Sequence, residues 1–315
     1  MYPLAELSYE AASAQSRGRR EYQEDSIACD FPVGVGMGFA VLADGMGGHA
    51  AGDIASKIAV TEVFSELKFN GGDPECLTGI GDILRNAVLG ANECLRFHAE
   101  QNPETEGMGT TLVAPVLMGD SLHWISVGDS PLYLFRDGQL SRLNEDHSMG
   151  PQINYMVDNG LLDSRQGALH PDRNCLTSVL IGGPIAQIDC PAEPVRLYPD
   201  DIIVVASDGL QFLADQEISN LIAAHADRSS AEIGTVLLRE IEALDDPDQD
   251  NISVCVIRVS EKREVLEEPT VSVGAMQGTE QRVIRNRNGF AFMASSSKTD
   301  SRNVMTYRLS MEKSA

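Results

Sequence analysis

Phe39-Ala40-Val41-Leu42-Ala43-Asp44-Gly45-Met46-Gly47-Gly48-His49 is an apolar run that ends in a carboxylate and a glycine-rich turn. The pairing of apolar run and aspartate recurs at three distant points. Ile125-Ser126-Val127 leads into Gly128-Asp129-Ser130, Ile202-Ile203-Val204-Val205-Ala206 leads into Ser207-Asp208-Gly209, and Asp250-Asn251 leads into Ile252-Ser253-Val254-Cys255-Val256. Runs of this length and composition read as core strands. Asp44, Asp129, Asp208 and Asp250 are therefore expected together at one rim of a rigid scaffold. Converging carboxylates repel one another and lose hydration, and a hard cation between them relieves both costs. Taken singly, each aspartate is a turn or cap residue; taken together, they predict an oxygen-rich site for two or more divalent metals.

Around these clusters the pattern is mixed. Ile54, Ile58, Val63, Phe64 and Leu67 have helical spacing over 50–68, and Leu77, Ile80, Leu84, Val88, Ala91 and Leu95 predict a second helix over 75–100. Both stripes are core packing. Strands follow: 111–117 meets 122–127 across Gly119-Asp120, and 132–135 meets 139–143 across Asp137-Gly138, a strong hairpin signal. Strands resume at 195–206, helices are expected at 215–225 and 230–244, and the last core strand at 252–259. Hairpins joining neighbouring strands argue against a parallel sheet. The expected fold is α+β, a central β-sandwich of two antiparallel sheets flanked by helices. Residues 148–175 are polar, with a short helical piece near Ile153–Asn159, and read as an insertion.

The chain has 315 residues, with 43% hydrophobic and 23% charged, enough for one large soluble domain. Its net charge of −23 argues against a nucleic-acid or anionic-membrane partner, which would need clustered Lys and Arg. The six cysteines form no Cys-x-x-Cys pair, so thiolate zinc is not expected and a reducing, cytoplasmic setting is. No secretory pattern opens the chain and no apolar run approaches a membrane span. Residues 1–260 are read as the main folded domain. Residues 261–315 carry about nine basic and seven acidic groups and little apolar content. They are read as a weakly ordered extension or as a few extra strands, with Phe290–Met293 and Val304–Leu309 as candidates.

In this order and spacing the clusters resemble the metal-dependent protein phosphatases of the PPM, or type two-C Ser/Thr, family. The matching pieces are Arg20-Glu21-Tyr22-Gln23-Glu24-Asp25, Asp44–His49, Gly109-Thr110-Thr111, Gly128-Asp129-Ser130, Asp146-His147-Ser148, Asn174-Cys175-Leu176-Thr177, Ser207-Asp208-Gly209-Leu210 and Asp250-Asn251-Ile252-Ser253. The Met-Gly-Gly-His continuation is similar to the bacterial branch. The resemblance implies Mn2+ or Mg2+, two ions in the core and a third held by Asp129 with Asp208. It implies that Asp44 bridges the two core ions, that the Gly45 carbonyl binds one, and that Asp208 and Asp250 complete the other. The glycine is expected to serve by close approach and unusual dihedrals. Glu24 and Asp25 would orient coordinated water. Arg20 would hold the phosphoryl oxygens, as a planar guanidinium fork suits. Arg19 and Arg20 are expected on a strand, with Arg20 pointing in.

The implied reaction is hydrolysis of phosphoserine and phosphothreonine in proteins by an activated water. The implied partners are phosphoprotein substrates and an opposing Ser/Thr kinase, with the chain a monomer. Two other readings stay open: a catalytically weak module that binds phosphoproteins, and a phosphatase for small phosphomonoesters. Two departures stand out. Met46 takes a position where some members carry a histidine that acts as general acid. Pro131 follows Gly-Asp-Ser where arginine is common, which bears on the loop around Asp129. The 148–175 insertion matches the family's variable flap, where loops on a rigid scaffold shape substrate choice.

Overall fold

The computed structural model describes residues 7–32, 36–47, 50–70, 79–261, 279–285 and 291–297. Among the described residues, eleven strands precede Lys262. One sheet takes β1 (Leu7–Ser16), β11 (Ile252–Glu261), β10 (Ile202–Ala206), β7 (Leu132–Arg136) and β8 (Gln139–Arg142) in that spatial order. The other takes β2 (Asp25–Asp30), β3 (Met37–Met46), β5 (Leu112–Met118), β6 (Ser121–Val127) and β9 (Val195–Arg196), with β4 (Gly109–Thr110) pairing the end of β3. The paired strands run antiparallel.

Period-two alternation explains the layers. On β3, Ala40 and Leu42 face the inside of the sandwich, where they join Val113, Leu134, Ile203, Val205, Cys255 and Ile257. Phe39, Val41 and Ala43 point the other way, against α1 (Ala50–Asn70) and α2 (Ile80–Gln101). On the far sheet Val204, Ala206, Val254 and Val256 meet Ile218 and Ile222 of α5 (Asp215–Ala224) and Ile233, Leu237 and Ile241 of α6 (Ser230–Ala243). Strands covered on both faces need apolar residues at every position, so they read as continuous runs in the sequence. Each fully buried Val, Leu, Ile or Phe among them contributes about 1.5–3 kcal/mol. Ser229 caps α6 by accepting from the Glu232 amide while Glu232 accepts from the Ser229 amide, a capping box.

The two expected hairpins form. Asp137 and Gly138 both have positive φ, at 51° and 78°, as a tight turn between twisted strands requires. The stretch 195–206 is not one strand. Asp200, at φ 72°, turns the chain, and β9 and β10 join different sheets. Arg19 and Arg20 are not on a strand either; they sit in the turn between β1 and β2. The insertion holds α3 (Gly150–Asp158) and α4 (Ser164–Ala168), the latter capped by the Asp163 carboxylate.

The chain separates into two compact units, Met1–Lys262 and Arg263–Ala315. In the second, β12 (Thr279–Arg285) and β13 (Ala291–Ser297) form an antiparallel hairpin. The suggested strand at Phe290–Met293 falls largely on β13; the one at Val304–Leu309 lies outside the described residues, as do His49, Cys76 and Leu77. Among the described residues no helix is long and apolar enough to cross a membrane. Their cysteines are free, with Cys255 buried and Cys175 exposed.

Candidate metal centre

The strand ends deliver their carboxylates to one place. A cavity of about 640 Å³ is lined by Asp44 from β3, Asp129 after β6, Asp208 after β10 and Asp250 before β11, together with Arg20, Glu24 and Gly45. Asp44 and Asp208 line the same cavity, and the charge of each acts on its neighbours. Carboxylates gathered at one buried site favour a shared proton or cation.

Each aspartate is fixed from behind. The Asp44 amide donates to the Thr111 hydroxyl at 3.0 Å, and the Thr111 amide donates back to the Asp44 carbonyl at 2.9 Å. The Thr110 hydroxyl donates to the same carbonyl at 2.8 Å. Asp25 is the direct cross-strand partner of Asp44, buried, with the Ser207 hydroxyl donating to its Oδ2 at 2.7 Å. The Ser253 amide donates to that hydroxyl at 2.9 Å, which ties β2, β10 and β11 together beneath the cavity. Asp129 sits in a loop that Arg142 of β8 clamps by donating to the Asp129 carbonyl at 2.6 Å while pairing with Asp146 at 3.3 Å. The Pro131 position therefore does not leave this loop without a guanidinium.

Burial raises the carboxyl pKa values first, and mutual repulsion raises them further. Asp25 is pushed up to about 7 by burial, with repulsion from Asp208 and Asp250, against the opposing hydrogen bonds of Ser207 and Ser253. Asp129 is pushed up to about 7 by burial, then by Asp208 and Asp146. Asp44 is held well above the ordinary carboxylate range by burial and by its neighbours Asp25, Asp208, Asp129 and Asp250. Asp208 is raised by burial and Asp250, with relief from the Asp44 hydrogen bond and Arg20.

These residues fit a group of divalent cations. Asp25 Oδ1 and Asp208 Oδ1 are buried without a hydrogen-bond partner, so the site holds anionic oxygens that no protein donor satisfies. Among the described residues no three His, Cys, Asp or Glu side chains form a ready-made chelate. The donor set is instead carboxylate oxygens spread around an open cavity, with a carbonyl and water left to complete coordination, which suits Mg2+ or Mn2+.

Two expectations change in detail. Gly45 has no positive φ. It is required by close packing, because a Cβ there would stand 2.1 Å from the Gly52 carbonyl oxygen and 2.6 Å from that of Glu24. Arg20 reaches the cavity, but its Nη2 donates to Asp250 Oδ2 at 2.5 Å. Arg19 pairs with Asp245 instead.

Asn251 had no role in the sequence reading beyond its motif. Its side chain donates to the carbonyls of Arg17 and Tyr22, both at 2.9 Å, and accepts from the Glu24 amide at 2.7 Å. It thereby staples the turn that carries Arg20 and Glu24. The Asp250-Asn251 pair at the head of an apolar run is the sequence signal for it. Asp146 and Asn174 were likewise seen only as motif members. They line an adjoining cavity of about 420 Å³ with Asp129, Asp208 and Arg173, next to Gly150 and Asn154 of α3. His147 is buried, and its Nδ1 accepts from the Gly128 amide at 3.2 Å, which supports the Asp129 loop.

A model of the protein phosphatase 2C family matches residues 15–241. The chain belongs to this family. It is 31% identical over 203 residues to the serine/threonine protein phosphatase PstP of Mycobacterium tuberculosis, covering 63% of this chain and 36% of that longer protein. It is 28% identical over 245 residues to the serine/threonine phosphatase Stp of Listeria welshimeri, covering 76% of this chain and 92% of that one. Among solved structures, the catalytic domain of PstP in complex with two manganese ions superimposes with a TM-score of 0.65 at 28% identity, over 81% of this chain and 99% of that one.

Proposed function

We propose that this chain is a metal-dependent phosphatase that hydrolyses phosphoserine and phosphothreonine in proteins. The observation that carries the reading is the single cavity in which Asp44, Asp129, Asp208 and Asp250 converge beside Arg20. Membership of the protein phosphatase 2C family and likeness to a manganese-bound relative support it. Asp44, the Gly45 carbonyl, Asp208 and Asp250 would hold two Mn2+ or Mg2+ ions, and Asp129 with Asp208 a third. Such ions neutralise the carboxylate cluster and make water nucleophilic near neutral pH.

The chain's own groups supply the rest. Arg20 offers a guanidinium to the phosphoryl oxygens, and its pairing with Asp250 keeps it at the cavity until an anion competes for it. Glu24 lines the cavity and Asp25 stands behind Asp44 with a free Oδ1, so both can orient water there. Cross-strand pairing and the Ser207–Ser253 linkage hold these groups before substrate arrives, which is preorganisation. The setting we infer is bacterial cytoplasmic signalling, with a monomer opposing a Ser/Thr kinase; light scattering on the purified chain tests the monomer.

The test is phosphate release from a phosphothreonine peptide with Mn2+, with and without a chelator. Turnover that the chelator abolishes is expected, with Arg20→Ala lowering kcat/KM by about 10²-fold. Tight peptide binding without turnover would favour a regulatory binding module instead. Turnover of small phosphomonoesters with none of the peptide would favour the third reading.

A further inference from the structure

The metal cavity has two chemically different parts. Its carboxylates and Arg20 are polar, but Met46, Leu176 and Val179 line it as well. Ile181 extends this apolar surface. Its γ-methyl and the Met46 ε-methyl lie 2.7 and 3.5 Å from where a Cβ on Gly109 would stand, so the two side chains cover the same glycine. Met46 is 37% and Ile181 49% exposed. Neither the ions nor the phosphoryl group uses these side chains.

The apolar wall is held rigidly. Met149 donates its amide to the Cys175 carbonyl at 2.9 Å, and Thr177 donates to the His147 carbonyl at 2.7 Å. Leu180 and Thr110 exchange amide-to-carbonyl bonds in both directions, at 3.0 and 2.9 Å. The Ser178 hydroxyl is bound to Gln187 on both its donor and acceptor sides. A wall fixed at so many points is preorganised, so contact with it costs little ordering entropy.

Resting on the phosphatase reading, we propose that this wall is a subsite for an apolar side chain adjoining the phosphorylated residue of the substrate polypeptide. The enzyme then selects phosphosites with an apolar neighbour and rejects those with an acidic one. The occupant follows from position. A phosphoester engaged at Arg20 brings the next residue of an extended chain about 3.3 Å along, and a cavity of about 640 Å³ has room for more than a phosphoryl group. Glu21 and Glu24 line the same cavity, in a chain of net charge −23, and repel an acidic neighbour.

The experiment compares phosphothreonine peptides that differ only in the flanking residue, Leu against Asp, with the full chain and Mn2+. We expect kcat/KM at least about 10-fold higher for the Leu peptide, the scale on which an apolar pocket discriminates. Leu176→Ser should bring that ratio to within about 2-fold through a higher KM for the Leu peptide. Met46→Gln, at an exposed position, should shift the ratio the same way if Leu176→Ser fails to fold. Equal wild-type rates on the two peptides, a preference for Asp, or variants that keep the wild-type ratio would overturn the subsite. Silence toward every peptide and toward an aryl phosphate would overturn the phosphatase reading itself, and the subsite with it.

Discussion

Asp44 is the residue on which the site turns, because it is buried and is repelled by four other aspartates, Asp25, Asp208, Asp129 and Asp250. Replacing it with asparagine removes charge and keeps volume. Asp44→Asn should lower turnover by roughly 10³-fold or more, since metal stabilisation of the transition state amounts to several kcal/mol. The same change should raise the melting temperature of chelated protein near pH 8, because a buried repulsion disappears. Retained turnover at saturating Mn2+ would count against the assignment. Asp25 gives a pH signature. Its folded pKa of about 7 lies above the roughly 3.9 of an unfolded aspartate, so the native state binds the proton more tightly. Its stabilising contribution is full below about pH 4 and is lost as pH rises through 7. Chelated protein should therefore melt at progressively lower temperature from pH 5 to 8, and Asp25→Asn should flatten that slope. An identical slope in the variant would contradict the burial argument.

Among elements, the turn between β1 and β2 matters most, because it carries Arg20 and Glu24 and has no regular structure of its own. Asn251 supplies its order. Asn251→Ala leaves two carbonyls and one amide without their partner and should cost about 2 kcal/mol or more in denaturant unfolding. It should also lower kcat/KM by loosening Arg20. The sheets were legible in the sequence because apolar runs such as Ile202–Ala206 are covered on both faces, and the aspartates were legible because each borders such a run, Asp44, Asp129 and Asp208 at its end and Asp250 before its start. The turn was not, since its shape depends on a side chain more than two hundred residues away. Nor was the break between β9 and β10, which hangs on one positive φ at Asp200. The unusual dihedrals expected at Gly45 are absent, and the close approach it permits is set by atoms of Gly52 and Glu24 that only the fold brings there.

For the whole molecule, a sandwich between two helical layers presents the ends of strands from both sheets to one cavity. The unit ending at Lys262 contains every residue of the candidate site. A chain truncated after Lys262 should keep its melting transition and its kcat/KM on phosphopeptide within about 2-fold. A large loss would assign the extension a part in catalysis. The converging carboxylates are proposed to hold paired divalent ions, and anomalous scattering from a crystal grown with Mn2+ reads whether they do. At least two manganese peaks are expected in the cavity, beside Asp44, Asp208 and Asp250. A cavity without manganese, or ions bound only elsewhere on the acidic surface, would contradict that proposal.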